Sequence, residues 1–354
     1  MFQTAIRNDP PGQAGRGTAV LIVDDSAVAR AALGRIVESG SEMHLAGAAD
    51  SAHGAIAWLK ANTADVILLD LEMPGLDGLA ALPELIAAGN GARILIVSST
   101  AREGAENTLR ALALGAADTL AKPEAGGLNQ TFGLILIDRI RRLGRATRTA
   151  LPLERHTLRT PATTPVELLA IGASTGGLRA LAEFFEGLPR AFDAPILITQ
   201  HLPPAFMPYF AEQLSAMAGR FARVASEGEI VGRGEILVAP GERHLRVVDH
   251  GDQFRVVLSD AVAETRCCPS VDPMFEAVAE AAGRGAVAVV LTGMGRDGSS
   301  GARRIVARGG SVIAQDQGSS TVWGMPGSVV RDGLASMLGT PAQLARHITA
   351  RGSA

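Results

Sequence analysis

Short, almost wholly apolar runs alternate with amphipathic helical patterns along most of this chain, and that alternation leaves few folds open. The first series reads "GTAVLIVDDS", "ARAALGRIVES", "MHLAGAAD", "AHGAIAWLKAN", "DVILLDLEMP", "DGLAALPELIAA", "RILIVSS", "GAENTLRALALGA" and "DTLAKP". Runs of this kind are strands buried on both faces, and parallel neighbours need crossover helices. Five successive units therefore predict a doubly wound (βα)5 domain over residues 18–124. A second series starts near Glu167, with strand-like runs at "ELLAIGA", "APILITQ", "EILVAP", "RVVD", "QFRVVLSD", "AVAVVLTG" and "SVIAQD". It predicts a C-terminal α/β domain over 166–350, with a mainly parallel sheet and a β-hairpin turning at "DHGDQ". Between them, residues 125–165 hold one helical segment and then a tract rich in Arg, Thr and Pro, which reads as an interdomain linker. No internal repeat or low-complexity tract is evident.

Composition removes several functional classes. The chain has 354 residues, 47% of them apolar and 19% charged, enough for two sizeable cores. A net charge of −3 leaves no footprint for nucleic acid. No apolar run approaches the roughly 18 residues needed to cross a membrane, so no membrane insertion is expected. The opening "MFQTAIRNDPPGQAGRG" lacks the apolar core of a secretion signal. The two cysteines, Cys267 and Cys268, are adjacent and would bridge only with strain, which predicts a reduced, cytoplasmic protein.

In the first domain, Asp24 and Asp25 end one predicted strand and Asp70 another, while Ser98 and Lys122 end two more. Parallel strands gather all five at one rim of the sheet. Three carboxylates repel one another unless a hard divalent cation joins them, and oxygen ligands suit Mg²⁺. A lysine and a hydroxyl beside them fit a site that takes a phosphoryl group on a carboxylate. Any one of these residues alone is more simply an ordinary loop acid. Their joint order, with "MPGLDG" after Asp70 and Pro123 after Lys122, resembles the receiver domain of a two-component response regulator over about residues 18–123. The resemblance implies Asp70 as phospho-acceptor, Asp24 and Asp25 with Asp70 as the Mg²⁺ site, and Ser98 and Lys122 on the phosphate. Receivers often carry an aromatic residue three positions before the lysine, where this chain has Thr119.

In the second domain, "IGASTGG" sets Ser174 in a G-x-S-x-G turn, Gly172 to Gly176, between a strand and a helix. Such a turn can expose a nucleophilic hydroxyl, with helix N–H groups nearby for a developing oxyanion. It can equally bind phosphate or let Ser174 cap the helix. A nucleophilic serine needs a base. Among seven histidines, His44 and His53 fall in the first domain, His156 in the linker, His250 in the hairpin turn and His347 near the C-terminus. His201, ending "APILITQ", is the better candidate and His244 the runner-up. An orienting carboxylate is offered by Asp297 in "AVAVVLTGMGRDGSSG", with Asp272 and Asp316 as rivals, and the backbone N–H of Met294 is a candidate oxyanion donor. The structural alternative for Asp297 is an ordinary Asp-Gly turn. The order Ser…His…Asp differs from that of α/β-hydrolases and of the two serine-protease types.

Together "IGASTGG", "ITQH", "APG", "PSVDPMF", "LTGMGRDG" and "AQDQGSSTVWGMPGSVV" resemble the catalytic domain of bacterial chemotaxis protein-glutamate methylesterases. With the receiver, the resemblance spans about residues 18–345. It implies Ser174 as nucleophile, His201 as base, Asp297 as orienter and Met294 as oxyanion donor. It further implies methylated glutamates of chemoreceptors as substrate, glutamine deamidation as a second activity, and a chemotaxis histidine kinase as phosphodonor. The esterase chemistry is expected to need no cofactor. A receiver covering the Ser174 site until Asp70 is phosphorylated is the regulation expected. The Cys267-Cys268 pair stands where the family commonly has a basic residue. Competing classes are a non-enzymatic regulator, a DNA-binding output and a nucleotide-binding enzyme. The acidic charge and the lack of a basic helix-turn-helix pattern oppose the second, and the absence of G-x-x-x-x-G-K-[ST] opposes the third.

Overall fold

The computed structural model describes residues 17–73, 78–98, 102–123, 129–148 and 157–351. The first unit runs β1 (Thr18–Val23), α1 (Ala27–Ser39), β2 (Met43–Ala49), α2 (Ala52–Leu59), β3 (Val66–Leu69), α3 (Gly78–Ala88), β4 (Arg93–Ser98), α4 (Arg102–Leu114), β5 (Asp118–Ala121) and α5 (Gln130–Arg148). Its sheet is parallel in the order β2-β1-β3-β4-β5, the doubly wound arrangement that the alternating pattern predicts.

The second unit runs β6 (Leu168–Ala173), α6 (Gly177–Gly187), β7 (Ile196–Gln200), α7 (Met207–Ala218), β8 (Ala222–Val224), β9 (Ile230–Val231), β10 (Ile236–Val238), β11 (His244–Asp249) and β12 (Phe254–Ser259). It ends with α8 (Val271–Ala282), β13 (Ala286–Val290), α9 (Ser299–Ala307), β14 (Ser311–Gln315), α10 (Met325–Arg331), β15 (Met337–Gly339) and α11 (Pro341–Thr349). Seven strands form a parallel sheet in the order β15-β14-β13-β6-β7-β10-β8, and β11-β12-β9 form a small antiparallel sheet holding the expected hairpin. Strands β6, β7 and β13 are buried at every residue, which is why they read as unbroken apolar runs. The chain moves from β6 outward to one side and later returns to the other, so a crevice opens at the carboxyl ends of β13, β6 and β7.

Helix α5 packs on the first sheet. The sequence places this segment in the linker over 125–165, yet Phe132, Leu136, Ile140 and Leu143 are buried with Val20, Ile22, Leu68 and Leu95 of the first sheet. Their spacing of four, four and three residues makes one apolar stripe, and burying each contributes about 1.5–3 kcal/mol. The helix thus completes the first unit. The rest of the expected linker up to residue 156, His156 included, lies outside the described residues.

The two units also share apolar surface. Helix α4 packs on α6 and α7, and Leu109 and Leu112 belong to one continuous cluster with Leu178 and Leu181. The placement of α5 predicts that Leu136→Ala, at a fully buried position, costs about 2–5 kcal/mol in urea unfolding of the first unit. Leu134→Ala, 64% exposed, should stay within about 0.5 kcal/mol. Equal losses would contradict the packing of this helix.

Candidate functional site

Ser174 follows β6, His201 follows β7 and Asp297 follows β13, three strands that lie side by side. The register pairs Ala173 with Gln200 and Gly172 with Val290, so the chain leaves all three at one level. Ser174 Oγ lies 3.2 Å from His201 Nδ1, and His201 Nε2 lies 2.7 Å from Asp297 Oδ2. The serine and histidine are partly open to solvent, whereas Asp297 is buried.

The glycine turn is specific in what it holds. Ser174 does not cap α6; Gly176 takes the cap position with φ 76° and no side-chain hydrogen bond. An added Cβ there would lie 2.2 Å from Thr321 Oγ1, so glycine is required by conformation and by space. The backbone of Ser174 is fixed by its N–H donating to the Thr292 carbonyl at 3.0 Å and by Gln200 Nε2 donating to its carbonyl at 2.9 Å. Thr292 Oγ1 further donates to the Thr175 carbonyl at 2.9 Å. These supports leave the hydroxyl facing the imidazole. Residues 293–294 run beside it, since an added Cβ at Gly293 would lie 2.8 Å from Ser174 Cβ. Met294 lines the same cavity.

Asp297 sits at the N-terminus of α8. It accepts from Ser270 Oγ at 2.7 Å and from the N–H groups of Val271, Asp272 and Gly298 at 2.8, 3.2 and 3.1 Å. Burial would raise this carboxyl, but the hydrogen bond and charge of His201 and these donors hold it at about 2. Asp272, a rival for the orienting role, is buried in the first turn of α8, where burial pushes it up to about 7 and Asp297 adds to the rise. Burial and the nearby Asp297 also raise the Cys267 thiol.

The other candidates have other partners. His244 is buried, its Nε2 donating to the Ala261 carbonyl at 2.7 Å and its Nδ1 accepting from Ser270 N–H at 3.0 Å. It thereby positions the Ser270 turn beneath Asp297. Asp316 accepts from Ser319 N–H at 3.0 Å and stabilises its own loop. His250 takes a contact from Arg255 at 2.8 Å in the hairpin, and His347 lies on α11.

In the first unit, one carboxylate oxygen each from Asp24, Asp25 and Asp70 lie within 4.8 Å of one another. This all-oxygen donor set fits a hard divalent cation, which a receiver domain requires for phosphorylation. Lys122 Nζ reaches Asp24 Oδ2 at 3.0 Å and Asp70 Oδ2 at 2.5 Å. Burial raises the Asp70 carboxyl despite Lys122; Lys122 itself is raised because the two carboxylates outweigh its own burial. Ser98 Oγ bonds Thr108 Oγ1 of α4 at 2.9 Å, both buried. Thr119 is buried with its hydroxyl unpartnered. Residues 74–77 of "MPGLDG" lie outside the described residues.

The units meet at the glycine turn. Gly176 N–H donates to the Ala117 carbonyl at 2.7 Å, and Thr175 Oγ1 donates to Asp118 Oδ2 at 2.9 Å. Arg139 of α5 pairs with the same Asp118 oxygen at 2.7 Å. A cavity of about 800 Å³ lies between them, lined by Ser174, His201 and Met294 on one side and Leu134, Ile135 and Arg139 on the other. Sequence reasoning missed Gln200, Thr292, Ser270 and the Asp118–Thr175 contact, because nothing in a lone sequence pairs a loop hydroxyl with a distant strand.

Fold and site define a class, a serine hydrolase domain joined to a response-regulator receiver. Residues 169–348 match the CheB methylesterase family and residues 20–145 the response regulator receiver domain. The chain is 42% identical to the protein-glutamate methylesterase/protein-glutamine glutaminase 2 of Caulobacter vibrioides, over 94% of this chain and 98% of the relative. It is 40% identical to the corresponding protein of Rhodopseudomonas palustris strain BisB5, over 90% and 89%. The catalytic domain of Thermotoga maritima CheB methylesterase superposes with a TM-score of 0.50 at 34% identity, over 52% of this chain and 98% of that domain. The chain belongs to the CheB methylesterase family, in its receiver-bearing form. Among the described residues no helix is long and apolar enough to cross a membrane.

The support around Ser174 makes a quantitative demand. Gly176→Ala should destabilise the protein by at least about 2 kcal/mol, adding left-handed strain to overlap with Thr321. A chemical-denaturation loss below about 1 kcal/mol would contradict the fixed turn.

Proposed function

We propose that Ser174, His201 and Asp297 hydrolyse glutamate methyl esters on chemoreceptors, and deamidate receptor glutamines, in a cytoplasmic protein governed by Asp70. The observation that carries this reading is the continuous relay of 3.2 Å and 2.7 Å at a cavity mouth, in a chain of this family. Asp297, ionised, holds His201 with its proton on Nε2, so that Nδ1 faces Ser174 as an acceptor. Ser174 Oγ attacks the ester carbonyl as His201 Nδ1 takes its proton. The Met294 N–H, beside Ser174, stabilises the oxyanion. Methanol leaves with the proton returned by His201, and water then attacks the acyl-serine with the same base to release glutamate. With glutamine the leaving group is ammonia. No cofactor is assigned to these steps. Ser174→Ala should lower methanol release from methylated receptor membranes by at least about 10³-fold with the fold intact. Release at the unmutated rate would refute the assignment.

In the first unit, a chemotaxis histidine kinase is the proposed phosphodonor and Asp70 the acceptor. Bound by Asp24, Asp25 and Asp70, Mg²⁺ would neutralise phosphoryl charge. Lys122 and Ser98 hold the phosphate oxygens, and Ser98 must leave Thr108 of α4 to do so. That exchange would loosen α4 from α6 and α7 and shift the population away from the arrangement in which β5 and α5 crowd the cavity. The division into receiver, linker and catalytic domain belongs to the same proposal, with the linker beginning after α5.

The contact of Asp118 with Thr175 is where this control is most exposed to test. Its loss would remove a hydrogen bond worth about 0.5–1.5 kcal/mol and a partner of Arg139. Asp118→Ala should therefore raise the unphosphorylated esterase rate about two- to tenfold and shrink the stimulation by a small-molecule phosphodonor. An unchanged basal rate with full stimulation would contradict a closing role for this contact.

A further inference from the structure

We propose that the cavity mouth is a zinc site, made by His201, Cys267 and Asp297, and that filling it switches the esterase off. One imidazole nitrogen, the Cys267 sulfur and one Asp297 oxygen all lie within 4.8 Å of one another. A thiolate, an imidazole and a carboxylate are the mixed donor set that zinc prefers, whereas Mg²⁺ favours the all-oxygen cluster of Asp24, Asp25 and Asp70. Tetrahedral zinc with these ligands needs edges of about 3.3–3.6 Å from its bond lengths, so the 2.7 Å edge from His201 Nε2 to Asp297 Oδ2 must open where that nitrogen is the ligand, and any edge near the 4.8 Å limit must close.

Cys267 can supply that movement. It lies in the irregular segment between β12 and α8, tied by long contacts only, its N–H 3.5 Å from Thr265 Oγ1 and its sulfur 3.8 Å from the Thr265 carbonyl. Its side chain is half-buried and lines the cavity with His201 and Asp297, and water from the cavity completes the coordination. Binding releases the thiol proton. Zinc at His201 Nδ1 takes the lone pair that faces Ser174. Zinc at Nε2 forces the remaining proton onto Nδ1, which then donates to Ser174 instead of accepting from it. Either mode removes the base.

The inhibitory half of this inference rests on the esterase reading; the metal-binding half does not, and two measurements separate them. The full chain, freed of metal and saturated with Mg²⁺, is titrated with Co²⁺ while thiolate-to-cobalt absorption is followed. The wild type and Cys268→Ser should both show the band and Cys267→Ser should lack it. An absent band, a band retained in Cys267→Ser, or one lost in Cys268→Ser would overturn the site. In parallel, Zn²⁺ should suppress hydrolysis of a nitrophenyl ester at least tenfold, reversibly with chelator. Cys267→Ser should keep basal hydrolysis within about twofold and need at least tenfold more zinc. Equal zinc sensitivity in the two would overturn the switch. A Cys267-dependent band without ester hydrolysis would uphold the metal site while refuting the esterase reading.

Discussion

A buried carboxylate needs donors, and the way Asp297 finds them organises the second domain. Its oxygens are met by Ser270, by N–H groups at the start of α8 and by His201. Left unpaired, a charge at that depth would cost several kcal/mol. Supplied with these partners it stays ionised and dictates which imidazole nitrogen carries the proton. The demand propagates: α8 must start where β13 ends, His244 must hold Ser270, and β7 must deliver His201 from the strand next but one. The order β13-β6-β7 satisfies all three at once.

The same rim meets the receiver. Strand β5 carries Asp118 at one end and is followed by Lys122 at the other, so a few residues separate the contact on the glycine turn from the contact on Asp70. Helix α4 offers a second connection, since it holds Ser98 through Thr108 and also packs on α6 and α7. The Asp70 and Ser174 sites are thus connected, among the described residues, through packed strands and helices. Such a linkage suits a two-state device, in which packed elements exchange one arrangement for another.

Much of this was legible before any coordinates. Parallel strands buried on both faces announce themselves as apolar runs, and their ends mark where polar chemistry collects; Ser174, His201, Asp297, Asp24 and Asp70 all stand at such ends. Other features carried no readable signal. Strands β8 and β15 have three residues each, too few for any periodicity. The sequence of α5 reads as linker because its arginines and the Pro- and Thr-rich tract after it mask the stripe of Phe132, Leu136, Ile140 and Leu143, which packs on the first sheet. Both His201 and His244 follow apolar strands, and the sequence ranks His201 first; the distances add that His244 instead holds Ser270. The Asp118–Thr175 contact joins residues 57 apart in sequence, and no motif pairs the two.

We propose that Ser174 is a base-activated nucleophile whose exposure depends on the receiver. The most direct measurement is the rate at which a fluorophosphonate modifies the full chain, located by peptide mass spectrometry, with and without a small-molecule phosphodonor and Mg²⁺. The account predicts modification at Ser174 and at no other serine, at a rate that rises several-fold when Asp70 is phosphorylated. Modification elsewhere, or at Ser174 with a rate indifferent to the phosphodonor, would contradict it.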